Sequence, residues 1–116
     1  MKVVVQGSRT FDDYSVFLRS MAVALSSLKG EDKQITIYTV GPRKVNNFVV
    51  GFVNLSEDGM NIRGMKISCY KVSPDWIESK LSEIDYFIYL SNPGERNSRL
   101  AQLADKKEIE LGVFRY

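Results

Sequence analysis

Two unbroken apolar runs, Val3-Val4-Val5 and Tyr86-Phe87-Ile88-Tyr89-Leu90, constrain the fold of this chain more than any other feature. Successive side chains of a strand point to opposite faces, so a strand with one wet face alternates apolar and polar residues. An unbroken run is instead buried on both faces, as in a parallel sheet covered by helices on either side. The rest of the chain alternates in keeping with that reading. Residues 1–6 form the first strand. Tyr14, Leu18, Met21, Leu25 and Leu28 recur at helical spacing and predict a helix over about 13–28, ended by Lys29-Gly30-Glu31-Asp32 with glycine as the cap.

Ile35, Ile37, Tyr38 and Val40 make a second strand, stopped by Gly41-Pro42. Val45, Phe48, Val49, Phe52 and Val53 then fall at i, i+3, i+4, i+7 and i+8, a helix that Glu57-Asp58-Gly59 is expected to break. Met65, Ile67 and Cys69 alternate with polar neighbours in a third strand. Ser73-Pro74-Asp75 is a helix start, a hydroxyl N-cap followed by proline at the first helical position. After Tyr86–Leu90 comes a loop, then a helix over about 98–107 and a last strand over 110–115. Five strands joined by right-handed helical crossovers define one α/β domain over residues 1–116, a Rossmann-like three-layer fold. The two most apolar strands, first and fourth, belong at the centre of a five-stranded parallel sheet of order 3-2-1-4-5.

Ligands in such sheets bind at the carboxyl ends of the strands that flank the reversal of strand order. The residues there are Gly7, Ser8, Arg9 and Thr10; Gly41, Arg43 and Lys44; and Asn92, Pro93, Gly94, Arg96, Asn97, Ser98 and Arg99. Cations cluster on this rim although the chain nets only +2, a balance too small to imply nucleic-acid binding. Glycines admit close backbone approach, helix N-termini favour anions, and arginine suits bidentate contact with phosphate. Asp12, Asp13 and Glu95 offset part of that charge, and Asp12 or Asp13 also suits a helix cap. With no histidine, the chain lacks the commonest general base, Ser-His-Asp triads and most zinc sites. No acidic cluster has metal-binding spacing, and no cofactor is expected. The lone Cys69 permits no internal disulfide and fits a reducing, cytoplasmic setting, where it reads as a buried small hydrophobe. No run reaches membrane-spanning length.

Gly7-Ser8-Arg9-Thr10-Phe11-Asp12 after three valines resembles the first motif of the SLOG superfamily. That group holds the DNA-processing protein A fold, the Lonely Guy phosphoribohydrolases and small bacterial and phage proteins with a Gly-Ser-Arg-x-Phe opening. Asp85 through Gly94 is similar to the family's fourth strand and its Pro-Gly-Gly-x-Gly-Thr loop. The resemblance extends in outline over the whole chain and implies a nucleotide or nucleotide-derived ligand. With such a ligand, Ser8 and Thr10 are expected to donate hydroxyl hydrogen bonds, Gly7 and Gly94 to permit backbone contact, and Arg9, Arg43 and Arg96 to neutralise phosphate. The departures are specific. Glu95 falls on the family's second glycine, Asn97 on its third, Ser98 on its threonine, and Ala101 on the glutamate expected three residues later. Cleavage of a glycosidic bond needs a carboxylate beside the departing base or the attacking water. The expectation is therefore a non-catalytic sensor or regulatory domain.

Two alternatives accompany that reading. One is a protein-interaction module, a homodimer or the binder of a host protein, acting through the second helix or the 114–116 tail. The other is a residual nucleoside-monophosphate phosphoribohydrolase. No nucleic-acid partner is expected: the basic rim is short and no aromatic ladder interleaves it, which disfavours single-stranded DNA. Trp76 is expected to pack on the sheet.

Overall fold

The computed structural model describes residues 1–29 and 31–115. Its elements are β1 (Lys2–Gly7), α1 (Tyr14–Leu25), β2 (Gln34–Gly41), α2 (Arg43–Ile62), β3 (Lys66–Lys71), α3 (Pro74–Glu78), β4 (Tyr86–Leu90), α4 (Arg99–Lys106) and β5 (Glu110–Phe114), with a 3₁₀ turn at Leu81–Glu83. All neighbouring strands pair in parallel, in the order β3-β2-β1-β4-β5. The chain is thus an α/β protein with the expected sheet, and strand order reverses between β1 and β4.

The apolar runs are unbroken because each faces two cores. Val3 and Val5 join Phe17, Met21, Val45 and Val49 beneath α1 and α2. Val4 turns the other way, onto Ile77, Leu81, Phe87, Leu100 and Ala101. All three valines are fully buried. Burial of this kind contributes roughly 1.5–3 kcal/mol per large aliphatic side chain.

Several local expectations need correction. Helix α1 stops at Leu25 with Ser26 as its cap, and Gly30, the expected cap, lies outside the described residues. Its inward face is Val16, Phe17, Ser20, Met21 and Ala24, whereas Tyr14 and Leu18 are each 39% exposed. The buried stripe is thus rotated from the expected one, keeping Met21 and adding Phe17, which is fully buried. Helix α2 runs through Glu57-Asp58-Gly59, because acidic residues on a solvent face do not oppose a helix. It ends at Ile62 instead, with Arg63 as its cap and Gly64 beyond it at φ +72°. The Gly64 amide donates to the Asn61 carbonyl and the Met65 amide to the Met60 carbonyl, a Schellman closure. The apolar stripe of α2 packs inward, with Phe48 and Phe52 against Phe17 at 5.7 and 6.0 Å between ring centres. Leu55 and Ile62 are its exposed apolar residues. Cys69 is half-buried rather than buried, and burial pushes its thiol pKa upward against the opposing pull of Lys71.

The largest departure concerns cover. One sheet face lies under α1 and α2 throughout. On the other, α4 covers β4 and β5, while α3 and the 3₁₀ turn cover β1. Strand β3 and the start of β2 stay open on that side, while Tyr38 and Val40 of β2 reach the second core; Tyr70 is 55% and Trp76 43% exposed. Trp76 reaches the sheet only at its margin, 5.4 Å from Tyr38 between ring centres.

Candidate functional site

The carboxyl edge of β1 and β4 is assembled from three chain reversals. The first follows β1. Gly7 has no room for a Cβ, which would lie 2.5 Å from Val45 Cγ2 and 3.2 Å from Pro42 Cδ. Its glycine therefore seats the end of β1 against the first turn of α2. The Ser8 amide donates to the Leu90 carbonyl at 2.7 Å, and the Phe11 amide donates back to the Ser8 carbonyl. Asp13 caps α1 by accepting from the Val16 amide.

The second reversal is Gly41-Pro42. Gly41 is buried with φ +104°, so its role is to turn the chain. Pro42 then precedes α2 with no side-chain cap, whereas Asp13 caps α1 and Ser98 caps α4. Arg43 opens α2 on the exposed side. Asn46, one turn in, accepts from the Thr39 hydroxyl at 2.6 Å, tying β2 to the helix.

The third follows β4, and it is latched to the first. Ser8, nearly fully buried, donates its hydroxyl to Glu95 Oε1 at 3.2 Å. The Asn92 side-chain amide donates to Thr10 Oγ1 at 2.6 Å. The Ser98 hydroxyl donates to Gln6 Oε1 at 2.5 Å while accepting from the Ala101 amide. Arg115, beyond β5, straps the loop from outside: it donates to Ser91 Oγ at 2.7 Å, to the Glu95 carbonyl and to Asn97 Oδ1. Burial pushes the Tyr89 phenol pKa upward, the Glu95 charge adds to the shift, and Arg115 opposes it.

These contacts sort the expected site residues into two groups. Ser8, Thr10, Asn97 and Ser98 hold the loops together. Arg9, Arg43 and Arg96 are exposed and make no side-chain hydrogen bond or ion pair among the described residues. Pro93 and Gly94 form the exposed turn between them, Gly94 at φ +81°. The acids of the rim are engaged: Asp12 pairs with Lys44 at 3.7 Å, Asp13 caps α1, and Glu95 holds Ser8. Arg99 faces away and pairs with Glu78. A cleft of about 370 Å³ lies beside this edge on the outer side of α4, between Asn97, Arg99 and Lys106.

Sequence reasoning missed Gln6 and Arg115 as parts of the edge. Gln6 carried a faint signal, a polar residue ending an apolar strand. Arg115 carried none, since its role depends on β5 pairing with β4. Ala101 is fully buried in the second core, so the position matched to a family glutamate does not face the edge. No group of three metal-ligating side chains occurs among the described residues, nor any helix long and apolar enough to cross a membrane.

Fold and edge together define a Rossmann-like three-layer α/β domain with three unpaired arginines, Arg9, Arg43 and Arg96, on one rim. No family model, no curated protein and no solved structure matches the chain.

Proposed function

We propose that this chain binds a nucleotide or nucleotide-derived phosphate ligand at the carboxyl edge of β1 and β4, as a binding domain and not as a hydrolase. One observation carries the reading: Arg9 and Arg96, from two loops, and Arg43, at the first residue of α2, follow three strands on one rim and remain unpaired, while the carboxylates around them are engaged. Guanidinium groups held this way recognise phosphate with directional, charge-assisted hydrogen bonds. The uncapped start of α2 beside Arg43 adds free amide donors and the positive end of a helix dipole.

The burial of Ala101 supports a binding role over glycosidic cleavage, since a carboxylate at that position would be aimed into the core. Glu95, in the loop after β4, is held by Ser8. Calorimetry with AMP, ADP and ADP-ribose tests the reading. Binding is expected with at least one of them, weakened about 10- to 100-fold by Arg9→Ala or Arg43→Ala, as for loss of a charged hydrogen bond worth roughly 1.5–3 kcal/mol. Absence of binding, with a protein partner recovered in stoichiometric amount, would favour the interaction module. Release of free base from AMP would revive the hydrolase.

A further inference from the structure

All-parallel sheets are almost always covered on both faces, because their strands are apolar on both. Here the outer half of one face is open, and it sets aromatic rings among polar side chains. By register, Gln34, Thr36 and Tyr38 of β2 stand beside Lys66, Ser68 and Tyr70 of β3 on that face. Tyr38 sits between two further rings, 6.1 Å from Tyr70 and 5.4 Å from Trp76 between centres, so three aromatics form a continuous ledge. A cleft of about 590 Å³ runs along it, bounded by Lys2, Thr36, Tyr38, Tyr70, Lys71 and Trp76. A smaller hollow adjoins it between Tyr38, Trp76, Lys80 and Glu83.

The charge around the ledge is mostly positive, with Glu83 as the acid in its lining. Lys66 and Lys71 flank β3 at either end and form no ion pair among the described residues. Lys2 and Lys80 share the carboxylate of Glu83, at 3.2 and 3.9 Å. A second copy packed on this face about a two-fold axis would set these lysines against their own counterparts, an arrangement that costs free energy. An uncharged peptide would leave them without partners. A single strand of nucleic acid answers both features, because bases stack on exposed rings and phosphates take the lysines.

We infer that the open face of β2 and β3 binds single-stranded nucleic acid by stacking bases on Tyr38, Tyr70 and Trp76, with Lys2, Lys66, Lys71 and Lys80 around the phosphate path. The surface is distinct from the β1–β4 edge, so the inference stands independently of the proposed nucleotide site. A duplex, whose bases are already stacked, does not fit the ledge.

Titration of the intact chain with oligothymidine or oligouridine of about ten nucleotides tests this, reading fluorescence anisotropy and the emission of Trp76, the chain's single tryptophan. The expected result is binding with quenched Trp76 emission, a log–log salt slope of about −1.5 to −2 for two or three phosphate contacts, and little duplex competition. Tyr70→Ala, at an exposed position, should weaken binding about 5- to 100-fold. Lys66→Glu with Lys71→Glu should do so without touching any ring, while Arg9→Ala should leave it unchanged. A preference for oligouridine or for oligothymidine separates RNA from DNA. The inference is overturned by no binding at low salt, by equal binding of duplex, by insensitivity to both the Tyr70 and lysine variants, or by loss of binding in Arg9→Ala.

Discussion

At the scale of residues, the rim is governed by which polar groups already have partners. Ser8 and Ser98 look like ligand hydroxyls in the sequence because they follow strands at the switch point. In the fold they bind Glu95 and Gln6, across the crevice a ligand would enter. Glu95 therefore stands where an incoming phosphate would compete for the Ser8 hydroxyl, with its charge opposed to that phosphate. Removing it should free the hydroxyl and lower the repulsion. Glu95→Ala is expected to tighten nucleotide binding by about 1 kcal/mol, roughly fivefold, measured by calorimetry at low salt. Glu95→Gln, which keeps the hydrogen bond and loses the charge, should give part of that gain. Weaker binding in both variants would mean that Glu95 serves the ligand and does not compete with it.

At the scale of elements, what was legible followed from burial on two faces, and what was not followed from contacts distant in sequence. Val3-Val4-Val5 and Tyr86–Leu90 announced central parallel strands because no polar residue interrupts them. The rim loops were legible as positions, since they follow those strands. Their latching was not, because Ser8 meets Glu95 only once β1 lies beside β4. The end of α2 shows the same limit. Gly59 and Gly64 lie five residues apart, yet Gly59 is helical and exposed while Gly64 holds a positive φ in the closing turn. An added Cβ meets nothing within 4 Å at either position, so backbone conformation alone separates them. Gly59→Ala should stabilise the fold by about 0.5–1 kcal/mol, and Gly64→Ala should destabilise it by about 1 kcal/mol, in urea unfolding. Effects of the same sign would contradict this account of where α2 ends.

At the scale of the molecule, the sheet presents two chemically different surfaces. Its carboxyl edge, between loops that leave β1 and β4, offers guanidinium groups and free helix amides. Its open face, over β2 and β3, offers rings and ammonium groups. The asymmetry arises from the crossovers. The link from β3 to β4 must pass β2 and β1, and it does so with α3 of five residues and a 3₁₀ turn, too little to roof the three strands that α4 leaves uncovered. The central claim concerns the edge, and an amide-resolved NMR titration of the intact chain with ADP addresses it most directly. The account predicts shifts concentrated on residues 7–10, 43–45 and 94–98, with the amides of Lys66 to Trp76 unmoved. Shifts confined to β3 and α3, or none at millimolar ADP, would contradict it.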